Sequence, residues 1–330
     1  MAKLNEEQIY KFDEANGVNY EKLNPDLFDV VGEKKSENEH LASKPYSYWK
    51  AVGKLLLKSK TFIICLVLLI TFIVLMFVVP HGKVVYPTSD QLTIHGPSTP
   101  SWDHVFGTGL YGQDYWVEIW AGMQTTLLFA FLITIIQLII GITLGSIWGY
   151  FRKSDIFFVQ LTNFLQIVPS LIMILFIIFL LGPGYWPVVL GITLQSWITM
   201  AATIRIQIML VKNTDYNTAS ETLGSSSGKI ITKNILPRIL PVIVQTGTFA
   251  IPTAISLDAT LSFLGFGYVN AADRTKTSLG TIINNVMAGS EWQEYPYLII
   301  IPVVLITAVS VIFFLAGKVF ADSLDPKNHR

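Results

Sequence analysis

Charge is scarce in this chain. Asp, Glu, Lys and Arg make up 14% of its 330 residues, where a soluble domain carries about 25%. The deficit falls in long apolar runs, and 52% of the residues are hydrophobic. That excludes an ordinary soluble domain and indicates an integral membrane protein. The formal net charge is zero, so no bulk positive field points to nucleic acid. Cysteine is nearly absent. Cys65 stands alone inside an apolar run, which rules out a disulfide framework within the chain and leaves no thiol pair for redox or metal chemistry. The five histidines, His40, His81, His95, His104 and His329, all lie outside the apolar runs. An enzyme working inside the membrane would need clustered histidines, paired carboxylates or a Ser–Lys pair there, and the placement of the histidines argues against it.

A bilayer core about 30 Å thick takes roughly 20 apolar residues per helix. Six runs qualify: 61–80, 125–150, 156–181, 187–210, 241–266 and 296–317. Backbone groups cannot stay unpaired in lipid, so each run is read as a helix, and the fold class is all-α with six transmembrane helices. The first run lacks a small-x-small cleavage pattern and ends VVPHGK, so it is expected to remain as a span rather than leave as a signal peptide. Residues 1–40 are a polar tail of mixed charge. In 41–60, Tyr46, Tyr48, Trp49, Val52, Leu55 and Leu56 alternate with Lys50, Lys54 and Lys58. The first reading is an interfacial amphipathic helix with aromatics at headgroup level; the second is a basic flank without fixed structure. Segments 81–124 and 267–295 lie on one side of the membrane. Twenty of the 23 Lys and Arg fall on the other side, which by the positive-inside rule is the cytoplasm and holds both termini. The expected divisions are tail 1–40, interfacial helix 41–60, first span 61–80, outer loop 81–124, a five-helix core 125–317 with a cytoplasmic loop 211–240, and a cytoplasmic tail 318–330.

That loop contains ASETLGSSSGKIITKNILP over 219–237. Its GSSSGK resembles a phosphate-binding loop, but Leu223 stands where the first glycine belongs and Ile230 follows the lysine. No hydroxyl is placed for magnesium and no strand precedes it, so the ATP-site reading fails. What remains is helical. Ala219 to Leu223 form a short helix-competent stretch, Gly224 ends it, and Ser225 to Ser227 are placed to cap the next turn. Ile230, Ile231 and Ile235 then fall on or near one face, Pro237 is expected to stop that helix, and Pro241 opens the next span. A compact element of this kind transmits motion where a floppy loop does not.

The stretch resembles the signature loop of ABC importer inner-membrane permeases, E-A-A-x-x-x-G-x(9)-I-x-L-P. Thr218-Ala219-Ser220 stands for E-A-A, and Gly224, Leu236 and Pro237 match. Thr218 replaces the acid, and Asn234 holds the isoleucine position with Ile235 beside it. The ILP ending is similar to the oligopeptide/dipeptide branch. FGTGLYGQD at 106–114 resembles that branch's F-G-T-D-x-x-G-R-D, with Gly109 and Gln113 departing from it. IVPSL (167–171), LGPG (181–184), LSFLG (261–265) and LDP (324–326) agree as well. The resemblance covers about 104 to 327 and leaves out the first 60 residues. It implies a type I ABC importer permease fold and a non-catalytic transport subunit in a bacterial cytoplasmic membrane. The implied partners are a homologous second permease, two cytoplasmic ATPases that carry ATP and Mg, and an extracellular or periplasmic peptide-binding protein. No cofactor is implied on this chain itself. The implied ATPase-coupling residues are Thr218, Ala219, Ser220, Glu221, Gly224, Leu236 and Pro237.

Polar groups inside the membrane either line a cavity or bond between packed helices. Asn163, Gln166 and Asp258 are candidates for the pathway; Gln137, Gln195 and Gln245 are further polar positions. Asp258 falls about 26 Å past Pro241 along a helix, and a hydrated site toward the outer end of its span is the cheaper reading. Pro169 is expected to kink the third span. Gly141, Gly145 and Gly149 form a stripe permitting close helix approach. Oligopeptide import is the leading function. The alternatives are another substrate of the same family, such as nickel or dipeptides, or a stand-alone secondary carrier. No His or Cys cluster suits a metal substrate.

Overall fold

A computed structural model of the chain describes residues 48–86, 96–269 and 276–324. The 1–40 tail, the 41–47 end of the interfacial segment and the last residues of the 318–330 tail lie outside these. Residues Tyr48–Lys58 of the expected 41–60 segment form a helix, α1, in which Val52 is buried while Trp49 and the lysines are exposed. The Tyr48 hydroxyl donates to the Leu324 carbonyl at 2.6 Å. Ser59 then adopts an extended backbone, its hydroxyl accepts from Phe62 N at 3.3 Å, and α2 (Lys60–Val78) begins. Only Cys65 and Met76 of α2 are buried, as suits a helix set against lipid.

The second span is α3 (Tyr115–Tyr150), 36 residues long. It starts ten residues before its apolar run, so the 81–124 loop gives up its last turns to helix. The reason is local: Asp114 caps the helix by accepting from Trp116 N at 3.0 Å, filling one of the donors a helix start leaves open. The third span is α4 (Arg152–Gln166) and α5 (Ser170–Leu181), which meet at 82°. The kink expected at Pro169 is therefore a full break. Twelve residues of helix span only about 18 Å, so α5 cannot cross alone. Helix α6 (Tyr185–Val211) lies parallel to α3: Phe129 meets Tyr185 near one end and Gly149 meets Arg205 near the other. The connection between two parallel spans must cross back, so α4 and α5 cross together.

The α3–α6 contact is close because of the glycine stripe. A Cβ on Gly145 would sit 2.7 Å from the Ala201 carbonyl oxygen, and one on Gly149 2.8 Å from that of Arg205. After α6 come α7 (Asp215–Thr222), α8 (Ser227–Ile230), a π-helical turn (Ile231–Ile235) and α9 (Leu236–Arg238). The span α10 (Leu240–Phe263) runs antiparallel to α3, with Gly247 against Leu138 and Asp258 against Thr126. Two short helices on the far side, α11 (Leu279–Ala288) and α12 (Glu291–Glu294), lead to the last span, α13 (Tyr297–Leu324). That span runs seven residues past the 317 boundary expected from hydropathy. The main core gathers Phe129, Ile133, Ile192 and Ile255 from α3, α6 and α10.

Pro237 does not stop its helix. It sits in the first turn of α9, where a missing N–H breaks no rung. The π-helical turn before it makes this possible: Leu236 N reaches back five residues to Ile231 O. The break falls at Ile239, and Pro241 opens α10 as expected.

Candidate functional site

The 211–240 segment folds as a compact module rooted on one end of the bundle. Ile230, Ile235 and Ile239 are buried against Ile204 and Ile208 of α6 and Ile243 of α10. Burying each of these side chains is worth about 1.5–3 kcal/mol, which fixes the module to the helices it sits on. Asn217 is buried and donates to Val211 O at 3.0 Å and Thr214 Oγ1 at 3.1 Å, tying the start of α7 to the end of α6. Helix α7 closes on Gly224 at φ +83°. Gly224 N donates to Glu221 O at 2.9 Å and Ser225 N to Ser220 O at 3.0 Å, the paired bonds that end a helix on a left-handed residue. The hydroxyl caps expected from Ser225 to Ser227 do not form: Ser226 takes the capping position, but its backbone carbonyl, not its side chain, accepts from Lys229 N and Ile230 N.

Two contacts absent from the sequence reading hold the limbs together. Asn234 Nδ2 donates to Ser220 Oγ at 3.2 Å, bridging the π-helical turn and α7. The Arg238 guanidinium lies 5.7 Å from the Tyr216 ring centroid. Asn234 was legible only as a departure from a pattern; its reach to Ser220, fourteen residues earlier, was not. The predicted coupling residues come together on this module. Thr218, Ala219, Glu221, Gly224 and Pro237 are exposed, Ser220 and Leu236 half-buried. Leu223 is 86% exposed at the tip. The module thus has an anchored apolar side and an open side carrying one large unburied aliphatic group.

The predicted pathway residues separate. Asn163 and Gln166 are exposed on α4, close to the Pro169 break. Asp258 is 0% exposed, which corrects the expectation of a hydrated carboxylate. Helices α3, α10 and α11 close over it, leaving Thr126 Oγ1 at 3.5 Å and Ser262 Oγ at 3.2 Å to donate to it. Thr126 Oγ1 in turn accepts from Leu279 N at 3.1 Å. Gln137 bonds to Ser196 across α3 and α6, the interhelical alternative.

At the opposite end, Glu118 is buried and accepts from Tyr86 OH and Gln113 Nε2, both at 2.7 Å. Burial first, and then the Glu118 carboxylate, push the Tyr86 hydroxyl far above its ordinary range, so it remains a donor. This network explains both departures in the 106–114 stretch. Gln113 supplies a neutral donor to Glu118, and a side chain on residue 109 would collide with Gln113 and come within 2.7 Å of Glu118 Oε2. Among the described residues no three His, Cys, Asp or Glu side chains lie together as a metal site.

The chain is thus a multi-span helical membrane protein with an ordered module between two of its spans. Residues 141–330 match the family described as binding-protein-dependent transport system inner membrane component. The chain is 31% identical over 312 residues to the oligopeptide transport system permease protein AmiD of Streptococcus pneumoniae (strain ATCC BAA-255 / R6), covering 93% of this chain and 99% of that one. It is 29% identical over 303 residues to the oligopeptide transport system permease protein OppC of Bacillus subtilis (strain 168), covering 91% and 97%. It is 29% identical over 345 residues to the dipeptide transport system permease protein DppC of Lactococcus lactis subsp. cremoris (strain MG1363), covering 93% and 98%. A chain from an inward-facing structure of the MetNI methionine ABC transporter superposes with a TM-score of 0.51 at 19% identity, covering 62% of this chain and 94% of that one; it shares the type I fold. The chain belongs to the binding-protein-dependent transport family: it is a multi-pass permease subunit of an ABC importer.

Proposed function

We propose that the chain forms, with a homologous second permease, the pathway for oligopeptide uptake. The module Asp215–Arg238 is the docking point for one of two cytoplasmic ATPases, which bind ATP and Mg and do the hydrolysis. The observation that carries this reading is the module's two-sidedness: an isoleucine root fixed to α6 and α10, and an open face of Thr218, Ala219, Glu221 and Leu223. A push on that face reaches the spans without passing through a flexible joint. Peptide as substrate is supported by the relatives named as oligopeptide and dipeptide permeases. An external binding protein delivers it to the side opposite the module, where Tyr86, Gln113 and Glu118 lie. Both termini face the cytoplasm, in keeping with the Lys and Arg bias. On this reading Asn163 and Gln166, exposed beside the α4–α5 break, line the pathway, and the buried Asp258 does not.

The test is assembly and uptake in the reconstituted complex. Ala219→Asp puts a charge on the docking face. It should cut ATPase retention at least tenfold while leaving membrane insertion intact. Unchanged retention would remove the module from the interface. Uptake of a labelled oligopeptide, with nickel and dipeptide controls, decides the substrate.

A further inference from the structure

One cavity is absorbed by neither the docking face nor the pathway. It opens between α1, the end of α13 and the inner side of the coupling module, with a volume of about 890 Å³. Its polar rim is Tyr48, Gln207, Asn234 and Arg238; its apolar wall is the 239–242 stretch with Leu324, and Trp49 flanks it. Ligand pockets run roughly 300–1,000 Å³, so the cleft holds far more than a lone phosphate ion.

The charge in it is one-sided. Among the described residues the arginine–carboxylate ion pair is Arg205 with Asp155. Among the described residues the Arg238 guanidinium has no carboxylate within salt-bridge distance, and it rests against the Tyr216 ring. A guanidinium offers five N–H donors in a fork that fits phosphate oxygens. The apolar wall adjoins Pro241, where α10 begins its crossing, so an occupant held at Arg238 has its other end at the edge of the bilayer. Lys50, Lys54 and Lys58 stand exposed on α1, and basic residues at a membrane surface concentrate anionic lipid there. Trp49 and Tyr48 have the amphipathic rings that settle at headgroup level.

We propose that this cleft binds the headgroup of an anionic phospholipid, with Arg238 and Asn234 on the phosphate and the proximal acyl chains along the 239–242 wall. A zwitterionic choline headgroup fits less well, because its quaternary cation faces the guanidinium. The site joins the coupling module, through Tyr216, Asn234 and Arg238, to α1 and α13, which lie outside it. Lipid composition therefore sets how firmly the module is held. The assignment goes beyond the docking role, and its test needs no ATPase, so the two fail independently.

The full chain, purified in detergent, is titrated with phosphatidylglycerol or phosphatidylcholine, and bound lipid is counted by native mass spectrometry. Phosphatidylglycerol should be retained in preference. Arg238→Gln should weaken its retention about fivefold, the size of one basic contact at a membrane surface, and Arg238→Lys should recover most of it. Gln207→Trp, which fills the cleft without changing charge, should also expel the lipid. Lys50→Gln with Lys54→Gln should lower retention of anionic lipid while leaving the Arg238 effect in place. Equal retention by wild type and Arg238→Gln overturns the proposal. So does displacement by millimolar inorganic phosphate, which would make this a free-anion site, or a map of the assembled complex showing another subunit's polypeptide in the cleft.

Discussion

Replacing Gly224 is the most direct way to separate folding of the bundle from its coupling. A Cβ built on Gly224 meets nothing within 4 Å, so crowding plays no part. The cost is the backbone: φ is +83°, where an L-residue with a side chain is strained by about 1–2 kcal/mol. Asn tolerates that region, so Gly224→Asn should be close to neutral. Gly224→Ala should carry the full 1–2 kcal/mol, shifting the local equilibrium between closed and opened turn by about 5- to 30-fold. Gly224→Val should be worse, since a β-branched chain is an outlier there. Gly224→Pro cannot reach a positive φ at all, and it removes the N–H that bonds Glu221 O at 2.9 Å. Ile230 and Ile235 are untouched, so every variant should insert and retain the isoleucine root. The assay is peptide uptake per ATP hydrolysed in proteoliposomes holding the whole complex. The expected order is Gly, Asn, Ala, Val, Pro, with insertion constant. Wild-type coupling in the Val and Pro variants would refute the argument that the left-handed turn aims the docking face. Failed insertion would show that the turn belongs to the fold instead.

Three further outcomes follow from the packing. Gly145→Ala forces α3 and α6 apart at the Ala201 carbonyl; overpacking of this kind costs about 1–3 kcal/mol, read as a lower thermal midpoint, and an unchanged midpoint would mean the two helices separate freely. Thr126 and Ser262 donate to different oxygens of Asp258, so Asp258→Asn keeps an acceptor for one hydroxyl and offers the other an N–H to accept, and should be close to neutral, whereas Asp258→Ala orphans two buried hydroxyls at about 1–3 kcal/mol; a large loss in the Asn variant would show that the carboxylate's charge is needed. The Arg205–Asp155 pair, at 2.5 Å and partly exposed, should show a double-mutant coupling of about 0.2–1 kcal/mol that falls with salt; zero coupling at low salt would make it ornamental.

Hydropathy made the six spans legible because lipid imposes one requirement on every residue in a run. It failed where polar groups were satisfied inside the protein. Glu118 interrupts the apolar pattern of α3, yet Tyr86 and Gln113 bond it, so the helix runs straight through. The Asp114 cap was a readable signal for the earlier start. The burial of Asp258 was not readable, because Thr126 on α3, which bonds it, and Leu279 of α11, which bonds Thr126, are far away in sequence. On the module, Gly224 and the isoleucine face were visible as local chemistry. The Asn234–Ser220 bond and the π-helical turn that absorbs Pro237 were not, since both depend on how two limbs meet. The angle at Pro169 was likewise beyond reach: a proline announces a break but not its size.

Helix α3 is unbroken over 36 residues, about 54 Å at 1.5 Å per residue. Its first turn is bonded into the network of Tyr86 and Gln113, and its last turns are gripped by α6, with Lys212 Nζ donating to Gly149 O at 3.2 Å. A stiff beam clamped at both ends reports displacement from one face of the membrane to the other with no relay of side chains between them. Engagement at the outer surface and engagement at the inner one are then two loads on a single spar.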